Sequence, residues 1–60
     1  MKTIAIIKVD GATYKKGNFG VVDGYISNND GSVSAIVILQ NLQKFVVVDI
    51  HNLRFITFEK

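Results

Sequence analysis

The 60-residue sequence contains no cysteine, no proline and no tryptophan, and it has a single histidine, His51. Without cysteine there is no disulfide, and one histidine alone cannot build a zinc site, so the two usual staples of a very small scaffold are missing. No cofactor and no metal are expected, and stability must come from packing or from self-association. Charge of either sign is sparse. The seven cations, Lys2, Lys8, Lys15, Lys16, Lys44, Arg54 and Lys60, face five acids, Asp10, Asp23, Asp30, Asp49 and Glu59, for a net charge of +2. That balance permits contact with nucleic acid without arguing for it. No apolar run approaches the ~20 residues of a membrane-spanning helix. The stretch after Met1 is broken by Lys8 and Asp10 with no small-residue cleavage site behind it, so a signal peptide is not read and a cytoplasmic location is expected.

Hydrophobic residues make up 48% of the sequence, too many for a disordered tail. A chain of this length buries only about 60% of the surface that its unfolded form exposes, which predicts one domain with a thin core. Glycine and asparagine clusters cut the sequence into five strand-length runs, residues 3–9, 19–27, 33–40, 45–50 and 54–58, each dominated by Val, Ile, Phe, Thr or Tyr. The fold class is therefore all-β. Asp10-Gly11 closes the first run as a tight turn, in which glycine accepts positive φ. Asn28-Asn29-Asp30-Gly31 predicts a hairpin between the second and third runs, and residues 41–44 a second connection into the fourth. Gly24, inside the second run, predicts a bulge or bend. Plain alternation would set Phe19, Val21 and Tyr25 on one face of that run, with Val22 and Ile26 on the other.

Two runs, Ala35-Ile36-Val37-Ile38-Leu39 and Phe45-Val46-Val47-Val48, are apolar on both faces and lack the alternation of a strand with one wet side. One face fills the core. The other needs cover, either from the chain's own loops and termini or from a partner surface, and a homodimer is the expectation.

The segment with most functional character is Tyr14-Lys15-Lys16-Gly17-Asn18-Phe19-Gly20-Val21-Val22, a basic, aromatic, glycine-bracketed loop that feeds a strand. Gly17 and Gly20 can take positive φ and so turn the loop sharply. Tyr14, Lys15, Lys16 and Phe19 could stack bases and neutralise phosphates, although Phe19, at a strand start, is read first as core. Tyr14 and Tyr25 suit an interface because tyrosine joins a large contact area to a polar tip. Arg54 can pair with a carboxylate or a phosphate from the last strand. His51 has Asp49 two residues away as an orienting carboxylate, yet no second histidine, cysteine or carboxylate pair completes a catalytic constellation, so an enzyme is not expected.

Five short strands in this loop order resemble an SH3-like barrel over nearly the whole chain. Residues 12–18 would be its long first loop, 28–32 its second connection and 41–44 its distal hairpin. Ile50-His51-Asn52-Leu53 would form the 3₁₀ turn before the last strand. Within that class, Lys16-Gly17-Asn18-Phe19-Gly20-Val21-Val22 is similar to the glycine-valine signature of KOW-type modules, and this resemblance implies binding of RNA, DNA or proteins of transcription and translation. The sequence thus supports a non-enzymatic module that self-associates through its doubly apolar strands and binds a protein partner through Tyr14, Lys15, Lys16, Tyr25 and Arg54. Its size fits the accessory proteins of phages and mobile elements that block a host factor by contact. The alternatives are a nucleic-acid-binding module using the same loop and a structural subunit of a larger assembly.

Overall fold

A computed structural model describes residues 2–58. Five antiparallel strands, β1 (Lys2–Ile7), β2 (Phe19–Ser27), β3 (Val33–Leu39), β4 (Lys44–Asp49) and β5 (Leu53–Phe58), form one sheet in the order β4-β3-β2-β1-β5. The all-β expectation holds, and each strand lies on one of the five apolar runs. Two 3₁₀ turns complete the chain, Gln40–Leu42 before β4 and Ile50–Asn52 before β5. The second is where the sequence placed it. The first replaces a plain hairpin connection.

β4 and β5 are the two edges of the sheet, and they do not pair with each other. Four spacings of ~4.8 Å would separate them by about 19 Å if the sheet were flat. The connection from Asp49 to Leu53 is only the Ile50–Asn52 turn, and four residue steps reach at most about 14 Å even when fully extended. The sheet therefore curls toward a barrel-like shape without closing its ladder of hydrogen bonds.

The inside of this curl is the core. Ala5 and Ile7 of β1, Ala35, Val37 and Leu39 of β3, Val46 and Val48 of β4 and Leu53 of β5 are buried together, with Tyr14, Val22 and Ile50 packed against them. These positions alternate along each strand, so every second residue of β1, β3 and β4 points outward.

The bend in β2 occurs where Gly24 predicted it, as a register shift between Val22 and Gly24. The extra residue, Asp23, inverts the alternation. Before it Val21 pairs with Ile38 on the outer face, and after it Tyr25 pairs with Ala35 on the inner side and Ile26 with Ser34. The expected grouping of Phe19, Val21 and Tyr25 on one face is thus corrected: Tyr25 has changed sides because the bulge adds a residue to β2 alone.

Positive φ is found at Gly17 (94°), Gly31 (88°) and Gln43 (53°). Gly11 and Gly20 do not use it, so the glycine-driven turn at Asp10-Gly11 is not formed in that way. In the 28–31 turn, Asn28 N donates to Ser32 O at 2.8 Å and Asn28 Nδ2 reaches Ser32 Oγ and Ser34 Oγ. The Ser32 hydroxyl and then its N–H donate to Asp30 Oδ1 and hold that carboxyl below its ordinary value. A depressed folded pKa contributes stability above the unfolded value of 3.8 and loses it as pH falls through the folded one. Full exposure keeps the contribution small.

Gln43 offers a simple stability test. A non-glycine residue in the left-handed region costs roughly 1–2 kcal/mol, part of which glycine returns as unfolded-state entropy. Gln43→Gly should stabilise the fold by about 0.5–1 kcal/mol and raise the thermal midpoint by several degrees, read by circular dichroism.

Candidate functional site

The loop between β1 and β2 is tied down by its own backbone. Ile7 N donates to Asn18 O and Gly17 N to Ile7 O, both at 2.8 Å, which pins the loop's end to the end of β1. Gly11 N donates to Tyr14 O at 2.9 Å and Asn18 N to Lys15 O at 3.0 Å. Two side chains add to this: Lys15 N donates to Asn18 Oδ1 and Lys16 N to Asp10 Oδ1. Lys44 Nζ, at the start of β4, donates to Thr13 O at 2.6 Å and ties the loop to the far edge of the sheet.

Within this frame the five sequence-selected residues divide. Tyr14 is half-buried against the core, and its ring lies so close under Gly11 that a Cβ there would fall 2.7 Å from Cε2. It closes the loop over the apolar interior. Lys15 and Lys16 are exposed, and Lys15 lines a shallow depression with Lys44, Thr13, Tyr14 and Asn18. Tyr25 is 58% exposed and stands at a cleft with Lys2 and Thr3, where β1 parts from β2. Its partner Ala35 is four residues, roughly 13 Å, along β3 from Leu39, which pairs with Lys44 beside the loop. Arg54 is exposed on β5 opposite Ile6. The structure therefore brings Tyr14, Lys15 and Lys44 to one depression, keeps Lys16 exposed beside Lys15 in the same loop, and sets Tyr25 and Arg54 on strands outside it.

Phe19 is not core. It pairs with Ile6 on the outer face and is 56% exposed, because Gly20, the next residue, takes the inward position and is buried.

At the second 3₁₀ turn, Asp49 Oδ1 accepts from His51 N at 2.8 Å and approaches His51 Nδ1 at 3.1 Å. The carboxylate caps the turn, and the imidazole projects into solvent. Among the described residues, no three His, Cys, Asp or Glu side chains converge as a metal-holding group. No described helix is long and apolar enough to cross a membrane.

The feature that sequence reasoning saw only in part is the outer face of the sheet. Register places Phe45 beside Ile38, Ile38 beside Val21, Val21 beside Ile4, and Ile4 beside Ile56. Paired residues of antiparallel strands point to the same side, so one apolar row crosses all five strands. Ile6, Phe19, Ile36, Val47 and Phe58 flank it, and Phe45, the most exposed, shows 67% of its surface. The doubly apolar runs of β3 and β4 signalled two-fifths of this row. The rest depended on which strands become neighbours.

No protein family, curated protein or solved structure matches the chain. Function is therefore read from this surface and not from kinship. The chain keeps 4386 Å² of accessible surface, where a monomer of its 6.6 kDa exposes roughly 3,900 Å².

Proposed function

We propose that this chain is a small, non-enzymatic, cytoplasmic binding module that works by protein contact, self-association included. The observation that carries the reading is the apolar row from Phe45 to Ile56, flanked by the exposed Phe19 and Phe58. Monomeric soluble proteins rarely leave so continuous an apolar patch uncovered, and side chains of this kind are enriched at the centres of interfaces. An SH3-like description belongs to this reading. It is supported by the strand order, the long loop before β2, the kink within β2 and the 3₁₀ turn before β5. Blocking a host factor by contact, as accessory proteins of phages and mobile elements do, is a role that such a surface can serve.

Sedimentation equilibrium over a wide concentration range tests the reading. The expected result is a mass above that of one chain which declines on dilution, and Phe45→Lys should shift the balance to monomer while keeping the far-ultraviolet spectrum of a sheet. A wild-type chain that stays monomeric at the highest concentration defeats self-association.

A second reading, a KOW-like nucleic-acid module, is favoured by Lys15 and Lys44 at one depression of the loop, with the exposed Lys16 next to Lys15 in sequence. It predicts binding of a single-stranded oligonucleotide that weakens steeply as salt is raised, since phosphate contacts release counterions. The protein-contact reading predicts that Lys15→Glu with Lys16→Glu leaves association unchanged and that apolar contact responds little to salt.

A further inference from the structure

The β4 edge differs from the other free edges of the sheet. β5 carries Arg54 and Thr57 in its interior, and the outer half of β2 carries the bulge with Asp23 and Gly24. These are devices that discourage a second strand from docking. β4 has none of them: it reads Lys44-Phe45-Val46-Val47-Val48-Asp49, with no proline, glycine, bulge or interior charge. Among the described residues, no backbone hydrogen bond runs from β4 to anything other than β3. Both ends are anchored within the protomer, Lys44 by Thr13 O and Asp49 by the turn that it caps, so the available stretch is short.

We infer that β4 pairs with β4 of a second copy, antiparallel about a two-fold axis through Val46. The inference rests on the self-association proposed above and places it at the edge of the sheet, where it covers Phe45 and Val47 and leaves Ile38, Val21, Ile4 and Ile56 as an open face. Three features select a second copy in this register. First, the two ends of the strand carry opposite charge, so antiparallel alignment brings the Lys44 end of one chain beside the Asp49 end of the other, whereas parallel alignment would join like ends. Second, cross-strand partners must share a face, so only registers that pair positions of the same parity keep both cores inside. Third, of the two such registers that use the strand most fully, one sets Phe45 against the other chain's Asp49. The other sets Phe45 against Val47 twice and Val46 against its own copy, and aromatic with β-branched pairs are the favourable kind. Phe45 and Val47, 67% and 46% exposed in the single chain, become each other's cover, and the two sheets join into one. Such an interface is isologous and closed, and it consumes the edge most prone to uncontrolled stacking.

The cysteine-free chain makes a direct test possible. Phe45→Cys and Val47→Cys are prepared separately, mixed in equal amounts and oxidised gently, with Ile56→Cys as a control on the β5 edge. Directly opposed residues lie about 4.5–5.5 Å apart, within disulfide reach. The expected product is the mixed 45–47 disulfide, several-fold above the statistical share, with little linkage of Ile56→Cys to itself. Equal self-linkage of each variant, or preferential linkage through Ile56→Cys, overturns the β4 register. If the wild-type mass shows association at the same time, the self-association reading itself survives. A wild-type chain that is monomeric throughout removes both. As a second measurement, Val47→Lys should weaken the dimer by roughly tenfold or more, by setting a lysine against Phe45 at both symmetric positions. An unchanged dissociation constant with an intact sheet spectrum counts against the pairing.

Discussion

Gly20→Ala should remove about 3 kcal/mol or more of the fold's stability, the largest effect expected of any single methyl group in this chain. Gly20 sits in β2 opposite Ala5, on the inward side, and it is buried. A Cβ built there overlaps the backbone carbonyl of Ile38, with its carbon at 2.6 Å and the Leu39 Cα at 3.2 Å. These are backbone atoms of the neighbouring strand and cannot swing aside as a side chain would, so β2 and β3 would have to separate. Overpacking of this kind costs 1–3 kcal/mol and sometimes more. With a backbone obstacle about 3 kcal/mol or above is expected. A domain of this size has roughly 3–9 kcal/mol in total. Urea titration followed by circular dichroism measures the loss. Gly17→Ala is the control: its φ of 94° makes alanine strained, but no atom lies within 4 Å of the added methyl, so a cost near 1 kcal/mol is expected. Equal effects at the two glycines would mean that conformational freedom, and not the close approach of β3, is what Gly20 supplies.

Ile7→Ala should cost about 3–4 kcal/mol, at the upper part of the range for truncating a buried aliphatic side chain. Ile7 is 1% exposed and belongs to the core cluster with Leu39, Val48 and Leu53. Its backbone also receives Gly17 N and donates to Asn18 O, so slack around the side chain reaches the loop that holds Lys15 and Lys16. Amide hydrogen exchange gives a second readout. Protection at Gly17 should fall more than protection at Gly31, whose bond lies in the remote 28–31 turn. A uniform loss of protection would separate the loop from the core and contradict the coupling.

The parts of the fold that could be read in the sequence are those set by local chemistry. β-branched runs bounded by Asn, Asp and Gly gave the strands. The 28–31 turn was announced by four turn-forming residues, and the bulge by a glycine inside a strand. What escaped depended on neighbours distant in sequence. Gly20 looks like a loop glycine until Ile38 is known to pass beside it. Phe19 looks like core until Gly20 is seen to hold the inward place. Tyr14 looks like a binding residue because its neighbours are lysines, yet its ring closes the loop over the core. The candidate site was legible to the same degree. The both-sided apolarity of β3 and β4 was visible, but its continuation through Val21 and Ile4 to Ile56 needed the strand order, and the bulge that turns Tyr25 away from Phe19 needed the register.

The pairing of β1 with β5 has a bearing on how the protein comes into being. Lys2 lies beside Phe58 and Ile7 beside Leu53, so this ladder joins the two ends of the described chain, whereas β2, β3 and β4 meet through short connections. The three-strand meander can assemble from near neighbours and β1 can join β2, but the ladder between β1 and β5 must wait until segments far apart in the sequence meet. Closing so long a loop is what slows folding in β proteins. Until it closes, the apolar strand Thr3-Ile4-Ala5-Ile6-Ile7 has only β2 for cover. The β1–β5 ladder is therefore the slowest part of the sheet to form, and until it does Ile4 and Ile6 lack their second neighbouring strand.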